Sequence, residues 1–228
     1  MSAIRLAVLG DHNPEYETHR AIDHTLTLMP PDAEAAWHGT DQPFAVDAVD
    51  AVWVAPGSPY RDDDAVYRTI AAARRGGAPI LGTCGGCQYM LLEFARNVAG
   101  LEDASHAEVD PAGAEPVIAQ LACSLVGQRR DVRPVPGTRL AALTGVAPFS
   151  GFHFCSFGLN DAYREALVSA GLVIGAYADD AGVESVELPG HPFYLATLFQ
   201  PQMESLETGV LHPIPAALVD AARLGATV

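Results

Sequence analysis

The stretch PILGTCGGCQ, residues 79–88, joins a short apolar run directly to a segment that opens with two glycines and continues with helical spacing. A buried strand that ends at glycines and leads straight into a helix is typical of the parallel sheets of α/β proteins. Cys84 stands between Thr83 and Gly85 at this junction, which is the sequence form of a nucleophile elbow. A sulfur on such a turn lies at a helix N-terminus, where the helix dipole favours the thiolate. The same residues also fit a buried cysteine in a glycine-rich turn, and both interpretations stay open.

On both sides of this stretch the sequence alternates between apolar runs and helical patterns. A first helix is expected between Pro14 and Pro30, and a second over residues 62–76, with three aspartates in its first turn and two arginines in its last. The resulting β-α-β-β-α-β-α order predicts an α/β fold with a doubly wound, mostly parallel sheet. The predicted strands cover residues 4–10, 34–38, 49–55 and 79–82, and a third helix covers residues 85–98.

The second half of the chain loses this alternation. Residues 113–160 predict strands separated by Pro-Gly turns, which we interpret as a small inserted antiparallel sheet. A helix over 160–170, a β-meander that returns to the main sheet and a last helix at 213–224 complete the pattern. The strands predicted in this half cover residues 117–126, 129–135, 152–159, 172–178, 183–188 and 193–199.

The composition bounds the class of protein. The 228 residues are 49% hydrophobic and 18% charged, which is enough for a real core, so we expect a single domain over residues 1–228. The 13 Lys and Arg against 28 Asp and Glu give a net charge of −15, which argues against nucleic acid or an anionic membrane as a partner. No apolar run approaches the roughly 20 residues that span a bilayer, so we expect a cytoplasmic protein with reduced cysteines. The expected partner is a small-molecule substrate or ligand, and association with a partner protein or as a homo-oligomer is left open.

Several stretches beyond the cysteine turn resemble the glutaminase domain of CTP synthase, which is a class I glutamine amidotransferase. They are EFARNV at 93–98, LEDA at 101–104, EVDP at 108–111, ELPGHPF at 187–193 and FQPQ at 199–202. The chain also resembles the standalone group of CTP synthase C-terminal region-related proteins. The resemblance implies the flavodoxin-like fold of class I amidotransferases. Because the synthase domain is absent from this sequence, the chain alone is not expected to make CTP.

The resemblance implies a catalytic triad made of Cys84 and of a histidine and a glutamate from a late Phe-His-Pro-Glu motif. Here that motif reads FQPQ, so Gln200 and Gln202 stand in the places of the base and of the carboxylate that orients it. A neutral amide cannot take a proton from a thiol or give one to departing ammonia. Ordinary glutamine hydrolysis is therefore not expected.

Two further segments depart from the family. The resemblance implies an arginine that grips the α-carboxylate of glutamine, but this sequence has Ser156 there, and a hydroxyl cannot make that bidentate bond. In the oxyanion strand, Pro59 removes a backbone donor. Glu108 matches a family residue near the substrate amino group and is retained, and Gly57 and Gly85 are expected to supply the oxyanion amides. The expected substrate-binding residues are Gln88, Glu108, Ser156, Phe157 and Gln200.

A histidine from another segment is a candidate for the missing base. His153 is preferred because its segment corresponds to the one that carries the family's substrate contacts, so the predicted catalytic residues are Cys84 and His153. His106 and His191 are weaker candidates, since a lone histidine is more often a surface or capping residue. Apart from one Cys-x-x-Cys, no cysteine or histidine pair has zinc-ligand spacing, so neither a metal nor another cofactor is predicted.

The other cysteines raise a redox alternative. Cys84 and Cys87 form a Cys-x-x-Cys whose first member lies at a helix N-terminus, an arrangement that tunes thiols for exchange. Helical geometry nevertheless points Cys87 into the packed face below the turn. Cys155 lies in the expected substrate-binding segment and Cys123 on a nearby predicted strand, although each alone is more often a small core residue.

Three functions compete at this point. The preferred one is a cysteine-dependent hydrolase-like enzyme, of the amide or C–N class, that acts through Cys84 on a substrate other than glutamine. The second is a catalytically degenerate relative that binds a small molecule or a partner, which explains the joint loss of the family's His, Glu and Arg. The third is a thiol-redox protein that uses Cys84 with Cys87, Cys123 or Cys155.

Overall fold

The computed structural model describes residues 3–225, which form strands and helices in the predicted alternation. The strands are Ile4–Leu9 (β1), Ala33–His38 (β2), Ala51–Val54 (β3), Ile80–Thr83 (β4), Ala104–His106 (β5), Glu115–Gln120 (β6), Gln128–Pro134 (β7), Phe149–His153 (β8), Phe157–Leu159 (β9), Val173–Ala178 (β10), Gly182–Glu187 (β11) and Tyr194–Thr197 (β12). The helices are Glu17–Thr27 (α1), Asp63–Gly76 (α2), Gly85–Asn97 (α3), Arg139–Thr144 (α4), Asp161–Ser169 (α5), Pro201–Thr208 (α6) and Pro213–Gly225 (α7), and a single 3₁₀ turn covers Val46–Ala48.

The large sheet has nine strands within residues 3–225, in the order β2-β1-β3-β4-β12-β11-β10-β7-β8. The first five strands pair in parallel, from β2 through β1, β3 and β4 to β12. The remaining pairings, from β12 to β8, are antiparallel. The predicted α/β fold and the β-meander returning to the main sheet are confirmed. The sheet is mixed rather than mostly parallel, with four parallel and four antiparallel pairings. Two of the antiparallel pairings come from the meander and two involve β7 and β8, whose residues were wrongly expected in the small inserted sheet.

Helices cover both faces of the large sheet. On one face α2 and α3 pack against β3 and β4, with Ile70 and Met90 among the fully buried side chains. On the other face α1 and α7 bury Ile22 and Leu218 against Trp53 of β3. The order β2-β1-β3-β4 reverses between β1 and β3, and in such sheets ligands bind beyond the carboxyl ends of the parallel strands. The fold therefore predicts a ligand site at the loops that follow β1, β3 and β4.

The small second sheet has the order β5-β6-β9. Its β5 and β6 are parallel and only β6 and β9 are antiparallel, so the expectation of a purely antiparallel insert is wrong. The strand predicted over 152–159 is also wrong as one element, because residues 154–156 carry the chain from β8 in the large sheet to β9 in the small one. The strand predicted over 117–126 ends at Gln120. There Leu121 donates its amide to the Ser156 carbonyl at 2.9 Å, and the chain continues as a loop.

Three short elements carry no clear signal in the sequence: β5, α4 and α6. The eight-residue helix α6 starts with Pro201, whose fixed backbone suits a first helical position, and ends at Gly209 in the left-handed region. The longer helices follow stronger signals, such as the Asp62 carboxylate that accepts the Ala65 amide at the start of α2. Within residues 3–225, none of the helices has both the length and the apolarity that crossing a membrane requires.

Candidate functional site

The turn between β4 and α3 holds Cys84 in an unusual backbone conformation. Cys84 has φ 52° and ψ −110°, and within residues 3–225 it is the only non-glycine residue with positive φ. Such a conformation persists only where the surroundings impose it, and it is concentrated at functional sites. The Cys84 amide is held by the Thr197 carbonyl of β12 at 2.9 Å, so the sheet itself fixes the turn.

The two glycines after Cys84 lie where a neighbouring strand end and loop approach closely. A Cβ added to Gly86 would lie 2.2 Å from the Val54 carbonyl oxygen at the end of β3. A Cβ added to Gly85 would lie 2.6 Å from Ser58 Oγ in the loop that follows β3. The start of α3 therefore sits directly against the loop that contains Gly57 and Ser58.

A cavity of about 580 Å³ opens over this turn at the carboxyl ends of the parallel strands. It brings together most of the residues that the sequence singled out. The predicted site residues that line it are Gly57, Cys84, Gln88, Glu108, Cys155, Ser156, Phe157 and Gln200. The lining residues that the sequence did not single out are Glu15, Tyr16, Glu17, Thr18, Pro56, Ser58, Val126 and Phe154.

The charges of the lining all have one sign. Three carboxylates, those of Glu15, Glu17 and Glu108, face the cavity, and within the described residues its lining contains no arginine, lysine or histidine. Partial burial raises the pKa of the Glu108 carboxyl. The cavity therefore favours neutral or cationic ligands, since a carboxylate or phosphate placed there would meet repulsion without a counter-ion.

The Cys84 thiol contacts groups from the segment between β8 and β9. Its sulfur donates to the Phe154 carbonyl oxygen at 3.7 Å, and Cys155, the next residue, belongs with Cys84 to one small buried cluster. Cys84 is 6% exposed and Cys155 is 8% exposed. The hydrogen bond with Cys84, and then burial, raise the pKa of the Cys155 thiol well above its ordinary value. Within the described residues, the cavity lining thus gives Cys84 a second cysteine and no histidine as a neighbour.

Gln200 and Gln202 form a buried pair at the start of α6. Gln202 Nε2 donates to Gln200 Oε1 at 2.8 Å, and the two residues are 1% and 0% exposed. Gln200 Nε2 and Gln202 Oε1 have no hydrogen-bond partner within residues 3–225. Neither amide can carry a proton to or from a reaction at Cys84.

His153 is held in a different buried pair. Its Nε2 lies 2.8 Å and 2.9 Å from the two carboxylate oxygens of Glu184, and its Nδ1 lies 3.1 Å from the Gly151 carbonyl. Glu184 and Gly151 thus occupy both ring nitrogens. Within the described residues the ring neither lines the cavity nor bonds to Cys84. A role for His153 as the base stays a prediction without a supporting contact.

The other histidine candidates also have structural partners. His106 Nε2 bonds to Gln88 Oε1 at 3.1 Å, and its Nδ1 accepts the Glu108 amide, which makes this ring neutral. Burial lowers the pKa of His106 to about 4. Gln88 in turn donates to the Phe157 carbonyl at 2.8 Å, so His106 holds Gln88 against β9. His191 bonds to the Ala73 carbonyl at the end of α2, away from the cavity lining.

Two of the four cysteines lie outside the cavity. Cys87 is buried in the core below the turn, and burial is the main reason why the pKa of its thiol is raised well above the ordinary value. This placement agrees with the packing expected for helical geometry. Cys123 is exposed and does not line the cavity.

Backbone amides that could hold an oxyanion are available beside Cys84. Within residues 3–225, the amides of Gly57 and Gly85 donate no hydrogen bond to protein groups. Gly57 has φ 109°, which a residue with a side chain rarely adopts. The assignment of these two amides to an oxyanion site stays a prediction.

Sequence reasoning missed the part of the lining formed by residues 15–18 and the buried partner Glu184. Residues 15–18 follow β1 at the carboxyl edge of the sheet. Because ligands bind at that edge in such sheets, the sequence could have indicated this part of the lining. Glu184 could not have been found this way, since it meets His153 only through the arrangement of β11 beside the other strands.

Comparison with known families gives a direct match. The family described as "Glutamine amidotransferase class-I" matches residues 16–133. The CTP synthase of Pyrobaculum aerophilum is 37% identical over a region covering 69% of this chain and 32% of that protein. The CTP synthase of Geobacter sulfurreducens is 33% identical over 96% of this chain and 44% of that protein. The chain thus spans less than half the length of these curated relatives.

A solved structure shows the same fold. The glutaminase domain of Trypanosoma brucei CTP synthase, with bound acivicin, superposes with a TM-score of 0.82 at 24% sequence identity. The match covers 97% of this chain and 94% of that domain. The likeness extends over the small second sheet as well as the large one.

Proposed function

The chain belongs to the class I glutamine amidotransferase family, and on that premise we propose that it is a cysteine-dependent, hydrolase-like enzyme that acts on a substrate other than glutamine. The single observation that carries the proposal is the conformation of Cys84, which is held at positive φ with its thiol in the lining of the cavity. A buried cysteine with no chemical role has no need of that conformation. The two free amides of Gly57 and Gly85 support the same role, because they are suited to hold a developing oxyanion.

As a substrate, glutamine is disfavoured both at its α-carboxylate and at its side-chain amide. Ser156 stands in the cavity where the family's arginine is expected, and nothing cationic in the described lining replaces it as a partner for an α-carboxylate. At the other end, Gln200 cannot protonate departing ammonia. Glutamine hydrolysis and CTP synthesis are therefore not proposed for this chain.

The lining indicates the class of substrate. Carboxylates without counter-ions favour a neutral or cationic molecule, and Glu108 is placed to accept hydrogen bonds from an amino group. Since the described cavity lining holds no histidine to protonate a departing amine, a leaving group that departs without protonation is favoured. Within the amide and C–N class we therefore favour activated acyl compounds, such as activated amides, that carry an amino group.

Reaction with a neutral electrophile tests the proposed nucleophile. At neutral pH, iodoacetamide should alkylate Cys84 faster than it alkylates the free peptide PILGTCGGCQ, with mass spectrometry of the tryptic peptide 76–96 as the readout. The Cys84→Ala variant identifies the signal that belongs to Cys84, and Cys123→Ser serves as a matched control. A rate at Cys84 no greater than that of the peptide thiol would refute the proposal.

The Gln200–Gln202 pair favours a second candidate function, ligand binding without turnover. The buried amides leave Cys84 without a base, as in a relative that retains the cavity but not the chemistry. In that case Cys84→Ala would bind the ligand and preserve the biological role, whereas an enzyme would lose that role. Cytoplasmic localisation, a single-domain organisation and association with other copies or a partner protein are further proposals, compatible with the acidic composition.

A further inference from the structure

We propose that Cys84 and Cys155 act as a pair in which a neutral hydroperoxide oxidises Cys84 and Cys155 then closes a disulfide, so that the cavity is also a site of thiol-dependent peroxide reduction. The pair uses the same sulfur as the proposed hydrolase-like reaction but does not depend on that reaction. Closing the disulfide would also withdraw Cys84 from acyl chemistry until a thiol reduces it.

The geometry points to this pair among the four cysteines. Both residues line the cavity and belong to one buried cluster, and Cys84 Sγ is 3.7 Å from the carbonyl oxygen of the residue that precedes Cys155. Cys87 is buried in the core below and Cys123 is exposed outside the lining. A small apolar cluster encloses the two sulfurs on the protein side, and its other members are Leu121, Leu125, Ala178, Ala181 and Leu198.

The two sulfurs differ in their surroundings, which assigns their roles. Cys84 precedes the first residue of α3, where the helix dipole favours a thiolate. The interaction with Cys84 and burial raise the pKa of the Cys155 thiol, so Cys155 is the less readily ionised of the two. Cys84 is therefore the sulfur that attacks first, and Cys155 is the one that resolves the product.

The reaction balances in two steps. The Cys84 thiolate attacks one peroxide oxygen, so that an S–O bond forms, the O–O bond breaks, and the other oxygen takes a proton and leaves as water or an alcohol. Cys84 is then a sulfenic acid, and the peroxide has been reduced. The Cys155 sulfur next attacks the Cys84 sulfur, so that the S–S bond forms while the hydroxyl group and the thiol proton leave as water. An external thiol returns the disulfide to two thiols.

The lining selects the class of oxidant. Glu15, Glu17 and Glu108 supply negative charge without a counter-ion, which repels anionic disulfides such as oxidised glutathione. A hydroperoxide is neutral and small enough for a cavity of about 580 Å³. Hydrogen peroxide and a neutral organic hydroperoxide are therefore suitable probes.

Peptide mapping tests the pair directly. The chain contains no lysine, so trypsin cuts only after arginine and places Cys84 in peptide 76–96 and Cys155 in peptide 140–164. After hydrogen peroxide treatment and alkylation of free thiols, the two peptides should be found joined. The cross-link should persist in Cys87→Ala and Cys123→Ser and should be absent in Cys84→Ser and Cys155→Ser.

A sulfenic acid trap supplies the second readout. Because the contacting thiol competes as an intramolecular nucleophile, dimedone should label Cys84 about tenfold more in Cys155→Ser than in the unmodified chain. Wild-type protein should also consume more than one equivalent of peroxide when dithiothreitol is supplied, and Cys155→Ser should consume less. A cross-link to Cys87 or Cys123 instead, or no cross-link with equal dimedone labelling in both proteins, would overturn the proposal.

The outcomes separate this inference from the proposed function. A Cys84 that reacts rapidly with iodoacetamide but forms no disulfide would preserve the nucleophile and refute the pair. A disulfide between Cys84 and Cys155 in a chain that cleaves no activated acyl compound would preserve the pair and refute the hydrolase-like activity.

Discussion

The turn that holds Cys84 and the segment that holds Gln200 and Gln202 lie on the same cavity but are built in opposite ways. In the turn, each unusual feature has a packing reason, such as the approach of Gly86 to the Val54 carbonyl. In the glutamine segment, two buried amide atoms have no hydrogen-bond partner within the described residues. The backbone at Cys84 is therefore fixed by its packing, whereas the two buried glutamines leave hydrogen-bonding capacity unused among the described residues.

The largest change in unfolding free energy is expected at the buried His153–Glu184 pair. Its residue types are those of a catalytic dyad, but His153 does not line the cavity in the described residues. In His153→Phe, the Glu184 carboxylate loses its cation while both positions stay inaccessible, so unfolding free energy should fall by about 3–5 kcal/mol. Urea denaturation of His153→Phe and of the double variant with Glu184→Leu measures this. The double variant should recover much of the loss, and an unchanged single variant would show that the pair is not ionic.

The next effect tests whether the Cys84 turn is fixed by packing. In Gly86→Ala the new Cβ would lie 2.2 Å from the Val54 carbonyl oxygen, so backbone must shift and the unfolding free energy should fall by about 3 kcal/mol. Gly76→Ala is the matched control, because no atom lies within 4 Å of its Cβ position and the helix favours alanine. A Gly86→Ala variant as stable as Gly76→Ala would contradict the packing account of the turn.

A pH-dependent effect comes from His106, which supports Gln88 in the cavity. Burial lowers the pKa of His106 from 6.5 to about 4. Between pH 6.5 and pH 4, His106 is therefore protonated in the unfolded chain but neutral in the folded one. The stability that neutral His106 contributes is full above pH 6.5 and is lost as pH falls toward 4, by about 2 kcal/mol at pH ~5. Unfolding free energies of wild type and His106→Gln across this window should show a shallower fall in the variant. Parallel curves would contradict the assignment.

The smallest stability effect is expected in the glutamine segment. Replacing both members of a hydrogen-bonded pair by apolar groups of similar shape removes the bond and both unpaired atoms together. The double variant Gln200→Met with Gln202→Met should therefore stay within about 1 kcal/mol of wild type in urea denaturation. A loss as large as that of Gly86→Ala would show that the two amides have partners and that the contrast between the two regions is false.

Much of the fold and of the site was predictable from local sequence. The β-α order, the cysteine turn and most of the cavity lining follow from apolar runs, glycines and motif positions that lie close together in the chain. The split between β8 and β9 was not predictable, because residues 154–156 change sheets within a continuous strand-like pattern. That change of sheet carries Cys155 to Cys84, and the packing of β11 likewise brings Glu184 to His153. Such contacts between distant segments depend on register and packing, which no spacing rule encodes.

The reaction of Cys84 with a cationic and an anionic reagent tests whether the carboxylates of the cavity decide which molecules reach the thiol. Trimethylammonioethyl and sulfonatoethyl methanethiosulfonate differ chiefly in charge. For each reagent, the rate of reaction at Cys84 in the Cys123→Ser protein is divided by the rate at the free peptide PILGTCGGCQ, which gives a normalised rate ratio. If the nucleophile lies in a cavity lined by carboxylates, the normalised rate ratio should be about tenfold or more higher for the cationic reagent. Such a difference corresponds to about 1.4 kcal/mol. Equal ratios, or a preference for the anion, would contradict a cavity rebuilt for substrates without a carboxylate.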